Sequence, residues 1–207
     1  MKLIGVTDDQ HSVPELLLKL QQTEPYIDAF ILREKSKSDE QLTELIMCLA
    51  AVHFPLDKLI LHANPHVANK LSISKVQLTG YGLSVRSAQS SYPALSFGCS
   101  VHSLVEAKEA EMAGADWLLY GHLYETASKQ GQTPRGTKEL FAITASCQVP
   151  VYAIGGIQPH HVPDLQQNNV SGTAILSPLR QEDAAHAVKR YRDAMNEKGV
   201  ILNEYND

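Results

Sequence analysis

The chain alternates between short apolar runs and longer stretches in which apolar residues recur at every third or fourth position. The short runs have the length and composition of strands that are buried on both faces of a parallel sheet. The longer stretches have the spacing of a helix with one buried face, as Leu42, Leu45 and Leu49 show. Strands are predicted at residues 3–6, 27–32, 58–61, 76–78, 95–101, 115–120, 150–154 and 172–176.

The starts of several predicted helices carry a serine followed three residues later by Glu or Gln. This spacing is that of a capping box, in which both residues satisfy backbone N–H groups of the first turn. Three such pairs precede predicted helices: Ser12 with Glu15, Ser38 with Gln41, and Ser103 with Glu106. A further helix is expected to begin at Pro159, since proline is favoured at the first helical position.

The strand-then-helix unit repeats eight times at intervals of roughly 25 residues, with short loops and no linker or change in composition. We therefore predict an α/β fold, a single-domain (β/α)8 TIM barrel over residues 1–207. An open, doubly wound sheet is the alternative, but eight units in 207 residues fit a closed barrel better.

Composition narrows the classes of partner. The formal net charge of −5 argues against nucleic acid, because a phosphate backbone needs a basic face. The apolar runs are too short to span a bilayer, so no membrane partner is expected. Cys48, Cys99 and Cys147 have no metal or redox spacing, which favours reduced thiols in a cytoplasmic protein.

Polar residues collect where the predicted strands end, and in a barrel all these ends meet at one rim. The richest segment is 120–129, in which His122 is followed by Thr126, Ser128 and Lys129. Histidine suits proton transfer near neutral pH, and we predict that role for His122. A lone histidine is more often structural, so a strand cap or loop contact is the competing interpretation. The other rim segments are 7–8, 33–35, 62–64, 100–102, 155–156 and Ser177.

The same rim offers groups that can hold a phosphorylated anion. Gly155 and Gly156 leave backbone N–H groups uncovered before a helix, and Ser177 follows the next strand, where barrels commonly bind phosphate. Arg33 suits a bidentate grip on a carboxylate. No metal-ligand spacing, dinucleotide fingerprint or P-loop is found, so neither metal nor cofactor is predicted.

Several of these segments together resemble the thiamine phosphate synthase/TenI superfamily over essentially the whole chain, and most of all its TenI-type thiazole tautomerases. The residues that carry the resemblance are 6–9, 32–38, 98–103, 121–126, 153–156 and Ser177. Synthases of this superfamily have magnesium-binding acids after the third and fourth strands and Gly-Pro after the sixth. This chain has His62-Ala63-Asn64, Thr79-Gly80-Tyr81-Gly82 and Gly121-His122 in those places.

The resemblance implies an isomerase of thiamine biosynthesis that aromatises a small phosphorylated thiazole carboxylate by proton transfer through His122. It implies further that Gly156, Leu176 and Ser177 hold the phosphate, with the substrate-binding side chains of Thr126, Ser128 and Lys129 nearby. By the same resemblance, Arg33 and Ser100 face the carboxylate or the ring. Two alternatives stay open: a thiamine phosphate synthase, and a non-catalytic regulatory protein that binds thiazole phosphate. A monomer and a homo-oligomer such as a dimer are equally compatible with the sequence.

Overall fold

The computed structural model describes residues 1–197, in which eight parallel strands close a barrel in chain order. The barrel closes between its first and last strands, where Leu3 lies opposite Thr173 and Ile4 opposite Ala174. The predicted (β/α)8 barrel is therefore confirmed, and the open sheet is excluded. The strands are β1 Lys2–Val6, β2 Ala29–Leu32, β3 Leu59–His62, β4 Lys75–Leu78, β5 Ser96–Val101, β6 Trp117–Gly121, β7 Val151–Ile154 and β8 Gly172–Ile175.

Helices connect the strands on the outside of the barrel. They are α1 Val13–Thr23, α2 Asp39–Ala51, α3 Pro65–Lys70, α4 Val85–Ser91, α5 Leu104–Met112, α6 Thr137–Ser146, α7 Val162–Gln167, α8 Ser177–Arg180 and α9 Ala184–Asn196. Among the helices two details differ from the prediction: Pro159 opens a 3-10 turn that precedes α7, and the short α8 was not expected. The predicted domain runs to residue 207, and its residues 198–207 lie outside the described part.

The predicted capping boxes explain where three of the helices begin. The first two form as expected, at the start of α1 and at the start of α2. At α5 the backbone N–H of Glu106 donates to the Ser103 hydroxyl, 3.1 Å away. The Glu106 carboxylate, however, accepts from the N–H of His102 at 2.7 Å, one residue earlier than a capping box requires. That contact links the start of α5 to His102, which lies on the predicted rim.

The apolar side chains form two layers because strand residues alternate in direction. The larger layer lies between the strands and the helices. The smaller layer fills the barrel itself and consists of Ile4, Val6, Ala29, Ile31, Ile60, Trp117, Leu119, Tyr152 and Ala174. Gly98 makes room for the indole of Trp117, since a Cβ at Gly98 would lie 1.9 Å from Trp117 Nε1. The filled barrel supports the polar rim from below.

No helix in residues 1–197 combines the length and the apolar character needed to cross a membrane. The described helices are instead amphipathic or short. In α9, for example, Val188 and Tyr191 are buried while Lys189 and Arg190 are exposed.

Candidate functional site

A cavity of about 700 Å³ opens at the end of the barrel where the strands terminate. Its size falls within the range of small-molecule sites, about 300–1,000 Å³. The cavity brings together every residue that the sequence nominated for the site. These residues are Arg33, Ser100, His122, Thr126, Ser128, Lys129, Gly155, Gly156, Leu176 and Ser177. Their roles toward a ligand stay predictions.

The loop after β6 is held against the loop after β7 by backbone hydrogen bonds. Leu123 N donates to Ile154 O at 3.0 Å, and Tyr124 N donates to Gly155 O at 3.0 Å. Gly155 has a φ of +101°, and a Cβ there would lie 2.4 Å from the Cβ of His122. Glycine is therefore needed here for the approach of His122 as well as for the predicted exposure of backbone N–H groups.

His122 lies on the cavity wall and is only partly buried. Its Nε2 atom is 3.3 Å from the carbonyl oxygen of Gln132, and its own carbonyl accepts from Arg135 N at 3.0 Å. The chain thus folds back so that Gln132 contacts the imidazole and Arg135 contacts the backbone of His122. A loop contact, the competing interpretation of this histidine, is present alongside its position in the cavity.

The hydroxyl groups and the ammonium of this loop follow directly after His122. Thr126 caps the 3-10 turn Ala127–Lys129, because its hydroxyl accepts from Ser128 N at 3.4 Å. Ser128 and Lys129 are exposed at the edge of the cavity. Their side chains are therefore open to solvent at the edge of the cavity.

The opposite wall of the cavity is cationic. Arg33 follows β2, and its backbone N–H is fixed by the hydroxyl of Thr7 at 2.8 Å. Lys35 lies two residues further on, and His62 ends β3 beside them. The pKa of His62 is lowered to about 4. Burial is the largest cause, and the positive charges of Arg33 and Lys35 add to it. His62 is therefore a neutral imidazole in an otherwise positive environment at neutral pH.

The acidic side chains close to this wall are already occupied. Asp8 is buried and pairs with Arg180, which also lines the cavity. Glu34 is buried and pairs with Lys37. These two carboxylates thus pair with basic side chains, and the side chains of Arg33 and Lys35 remain at the surface of the cavity.

Three polar residues of the predicted rim serve the fold. The Thr7 hydroxyl accepts from Arg33, Asp8 pairs with Arg180, and Asn64 caps α3 by accepting from Val67 N at 3.0 Å. Other cavity residues were not nominated from the sequence, namely Gln77, Gln132, Arg135 and Arg180. Gln77 carried one usable signal, since it is a polar residue within an apolar strand.

Comparison with known proteins identifies the family of the chain. The model of the TMP-TENI family, described as thiamine monophosphate synthase, matches residues 3–179. The chain belongs to this family. The predicted superfamily is thereby confirmed. Among similar relatives, the thiamine-phosphate synthase of Pyrococcus furiosus is 30% identical over 199 residues, covering 95% of this chain and 96% of the relative. That of Pyrococcus horikoshii is 31% identical over 166 residues, covering 80% and 77%.

Solved structures agree with this placement. Thiamine phosphate pyrophosphorylase from Pyrococcus furiosus superposes with a TM-score of 0.79 at 27% identity, over 95% of this chain and 96% of the other. A 3-hexulose-6-phosphate synthase superposes with a TM-score of 0.72 at 17% identity, covering 94% of this chain and 100% of the other. The second likeness shows the shared barrel fold alone.

The predicted isomerase activity is wrong by this comparison. The relatives that match along the length of the chain are named for a synthase, which is a transferase and not an isomerase. The prediction relied on the missing acids after β3 and β4 and on His122 in place of proline. Those are local features of the rim, whereas the relatives match across the whole barrel.

The residues of the rim do not fit a magnesium ion. Magnesium prefers several oxygen ligands, including carboxylates. Within residues 1–197 no group of three or more His, Cys, Asp or Glu side chains is placed to hold a metal. Asn64 is used as a helix cap, and the segment after β4 has no acid between Thr79 and Gly82. No chemical step can therefore be assigned to a bound metal from these residues.

Proposed function

We propose that this protein acts as a thiamine-phosphate synthase, a transferase that joins a pyrimidine diphosphate to a phosphorylated thiazole in the barrel mouth. In this reaction the bond between the pyrimidine methylene carbon and the diphosphate oxygen breaks. A new bond forms between that carbon and the thiazole nitrogen. The products are thiamine phosphate and diphosphate. The proposal extends the name of the similar relatives to this chain.

One observation carries the proposal: a single cavity presents two groups of anion-binding residues on different strands. Arg33 and Lys35 follow β2, whereas Gly155, Gly156 and Ser177 follow β7 and β8. In the closed barrel β1 separates β2 from β8. Two anionic substrates can thus occupy one cavity without competing for the same groups.

The group made of Gly155, Gly156 and Ser177, called the glycine side below, suits the phosphate of the thiazole. Gly156 and Ser177 offer backbone N–H groups near the start of short helical segments, where a negative charge is favoured. Lys129 and the hydroxyls of Thr126 and Ser128 lie at the entrance to this side. Leu176 packs against the apolar layer inside the barrel and gives this wall a nonpolar face.

The group made of Arg33 and Lys35, called the arginine side below, suits the diphosphate. Arg33 and Lys35 bring two positive charges, and Arg33 can bind two oxygens at once. Charge on the departing diphosphate would be met by these side chains directly, since the segments after β3 and β4 have no acid for a magnesium ion. Electrostatic stabilisation of this kind acts most strongly where water is excluded. His122 and Ser100 then line the space between the two anions.

A second candidate function is a non-catalytic protein that binds thiazole phosphate. The specific observation in its favour is the absence of an acidic cluster from the described part of the rim. Such a protein would retain the glycine side of the cavity. It would bind the phosphorylated thiazole and leave it unchanged.

An assay for product separates the two candidates. The purified chain is mixed with the pyrimidine diphosphate and thiazole phosphate, with magnesium or with a chelator, and thiamine phosphate is measured by chromatography. The proposal expects product formation that Arg33→Gln reduces at least tenfold. Lys138→Gln, a change at an exposed lysine of α6 away from the cavity, serves as the matched control.

Binding measured by calorimetry completes the test. Thiazole phosphate that binds without giving product supports the second candidate and contradicts the first. A chain that binds neither substrate contradicts both candidates. Product formation that is unaffected by Arg33→Gln would show that the arginine side does not serve the reaction.

A further inference from the structure

A buried chain of hydrogen bonds leads from the middle of the barrel to the cavity. It begins at Trp117 in β6, passes through Gln77 in β4, and ends at Ser100 in β5. We propose that Trp117 and Gln77 are positioning residues that hold the Ser100 hydroxyl as a donor toward an anionic oxygen of the ligand. This inference rests on the proposed binding of phosphorylated substrates in the same cavity.

The first link fixes the orientation of the Gln77 amide. Trp117 Nε1 lies 2.8 Å from Gln77 Oε1, and Gln77 is 1% exposed. An indole N–H can only donate, so the atom facing it must be the amide oxygen. The chemistry of the partner therefore decides which end of the amide faces the indole, and the NH₂ group must point the other way.

The second link fixes the direction of the Ser100 hydrogen bond. Gln77 Nε2 lies 3.1 Å from Ser100 Oγ and 3.2 Å from the carbonyl oxygen of Leu78. Both hydrogens of the amide are thus used, and the Ser100 oxygen is an acceptor. The hydroxyl hydrogen of Ser100 is left to donate, and Ser100 lines the cavity.

The arrangement favours one class of ligand atom. A hydroxyl held as a donor binds an acceptor, and a negatively charged oxygen is the strongest acceptor that the proposed substrates offer. Both the phosphate of the thiazole and the diphosphate carry such oxygens. The shared chemistry is therefore a phosphoryl oxygen, and separate probes are needed to distinguish the two sources.

Gly98 and the buried position of Gln77 show that the first link is built into the barrel. A side chain at Gly98 would occupy the place of the indole, with its Cβ 1.9 Å from Nε1. The indole crosses β5 at this glycine to reach Gln77. A polar glutamine at this depth would be unfavourable without partners, and both its amide atoms have them.

The test compares four proteins: the parent chain, Ser100→Ala, Trp117→Phe and the double variant. Affinities for thiazole phosphate and for inorganic diphosphate are measured by calorimetry. Ser100→Ala is expected to weaken one of the two probes by roughly tenfold, and that probe identifies the source of the oxygen. Trp117→Phe keeps an aromatic ring but lets the amide turn, so that Ser100 donates to Gln77 instead. We expect a loss of about threefold to tenfold for the same probe.

The double variant decides the inference. If the indole acts through Ser100, adding Trp117→Phe to Ser100→Ala costs no further affinity. An equal loss with and without Ser100 would show that Trp117 acts by packing, which overturns the inference. If the parent chain binds neither probe, both the proposed function and this inference are overturned. If the parent binds a probe but the losses from Trp117→Phe and Ser100→Ala simply add, only this inference is overturned.

A spectroscopic measurement checks the same link without a change at Trp117. Trp117 is the one tryptophan of the sequence, so its indole N–H gives a single, assignable NMR signal. The signal is expected to move when the parent chain binds the identified probe, and to move much less in Ser100→Ala at saturation. An equal movement in both proteins contradicts the proposed relay.

Discussion

His102 and His122 line the same cavity and are held in opposite tautomers by backbone carbonyl groups. His102 Nδ1 lies 3.0 Å from Gly121 O, whereas His122 Nε2 lies 3.3 Å from Gln132 O. A carbonyl oxygen can only accept, so the hydrogen of a neutral ring must be on Nδ1 in His102 and on Nε2 in His122. The free ring nitrogens are then Nε2 and Nδ1, respectively.

We expect this difference to appear in nitrogen NMR of the two neutral rings. Long-range proton–nitrogen spectra of the neutral rings should show His102 as the Nδ1–H tautomer and His122 as the Nε2–H tautomer. His102→Gln and His122→Gln assign the signals. The same tautomer in both rings would contradict the hydrogen bonds described here.

The partly buried imidazole of His62 should make stability depend on pH. Its pKa is lowered from 6.5 to about 4 by burial and then by Arg33 and Lys35, so the unfolded chain binds more protons between these values. Stability is therefore retained above pH 6.5 and lost as the pH falls toward 4. Relative to His62→Gln, the parent should lose about 1–3 kcal/mol between pH 6.5 and pH 4.5.

Urea unfolding at several pH values measures this loss. His186→Gln, at an exposed position of α9, is the matched control and should follow the parent. If parent and His62→Gln show the same pH dependence, then His62 is not held neutral by its surroundings.

The close approach of Gly98 and Trp117 predicts that Gly98 does not tolerate a side chain. Gly98→Ala should displace the indole and cost about 3 kcal/mol of the free energy of unfolding. Fluorescence should show the displacement directly as a red shift, since the chain has one tryptophan. Gly131→Ala is the comparison: its φ is +79°, but no atom lies within 4 Å of the added Cβ, so the emission should not change. Unchanged emission in Gly98→Ala would contradict the packing.

Lys129 is expected to attract the phosphate of a ligand from the edge of the cavity. Lys129→Gln should weaken binding of thiazole phosphate roughly threefold at low ionic strength, and the effect should fade as salt screens the charge. Calorimetry at two salt concentrations measures both effects. Lys138→Gln should bind as the parent does. An unchanged affinity in Lys129→Gln at low salt would remove this residue from the site.

The sequence was sufficient to predict the barrel and the place of its rim. Strand and helix periods are local properties, and eight repeats of them leave few ways to close a core. The residues nominated for the site reached one cavity for the same reason, because parallel strands bring their carboxyl ends together. The capping pairs at α1 and α2 formed because both partners lie within one helical turn.

The activity was not predictable in the same way. Missing acids after β3 and β4 and His122 after β6 favoured an isomerase, but a few rim residues do not define an enzyme class. The similar relatives are named for a synthase and match almost the whole chain. A barrel tolerates change at its loops while its core is kept, so local departures were weak grounds for choosing a branch.

Only the tertiary structure decided which polar atoms face one another. Trp117 and Gln77 are 40 residues apart in the chain, and nothing in the local pattern of either strand indicates their contact. The orientation of the Gln77 amide, the opposite tautomers of His102 and His122, and the pairing of Asp8 with Arg180 likewise depend on partners from distant segments. Periodicity records which face of an element is buried, but the direction of a hydrogen bond is set by the atom that the closed barrel brings within about 3 Å.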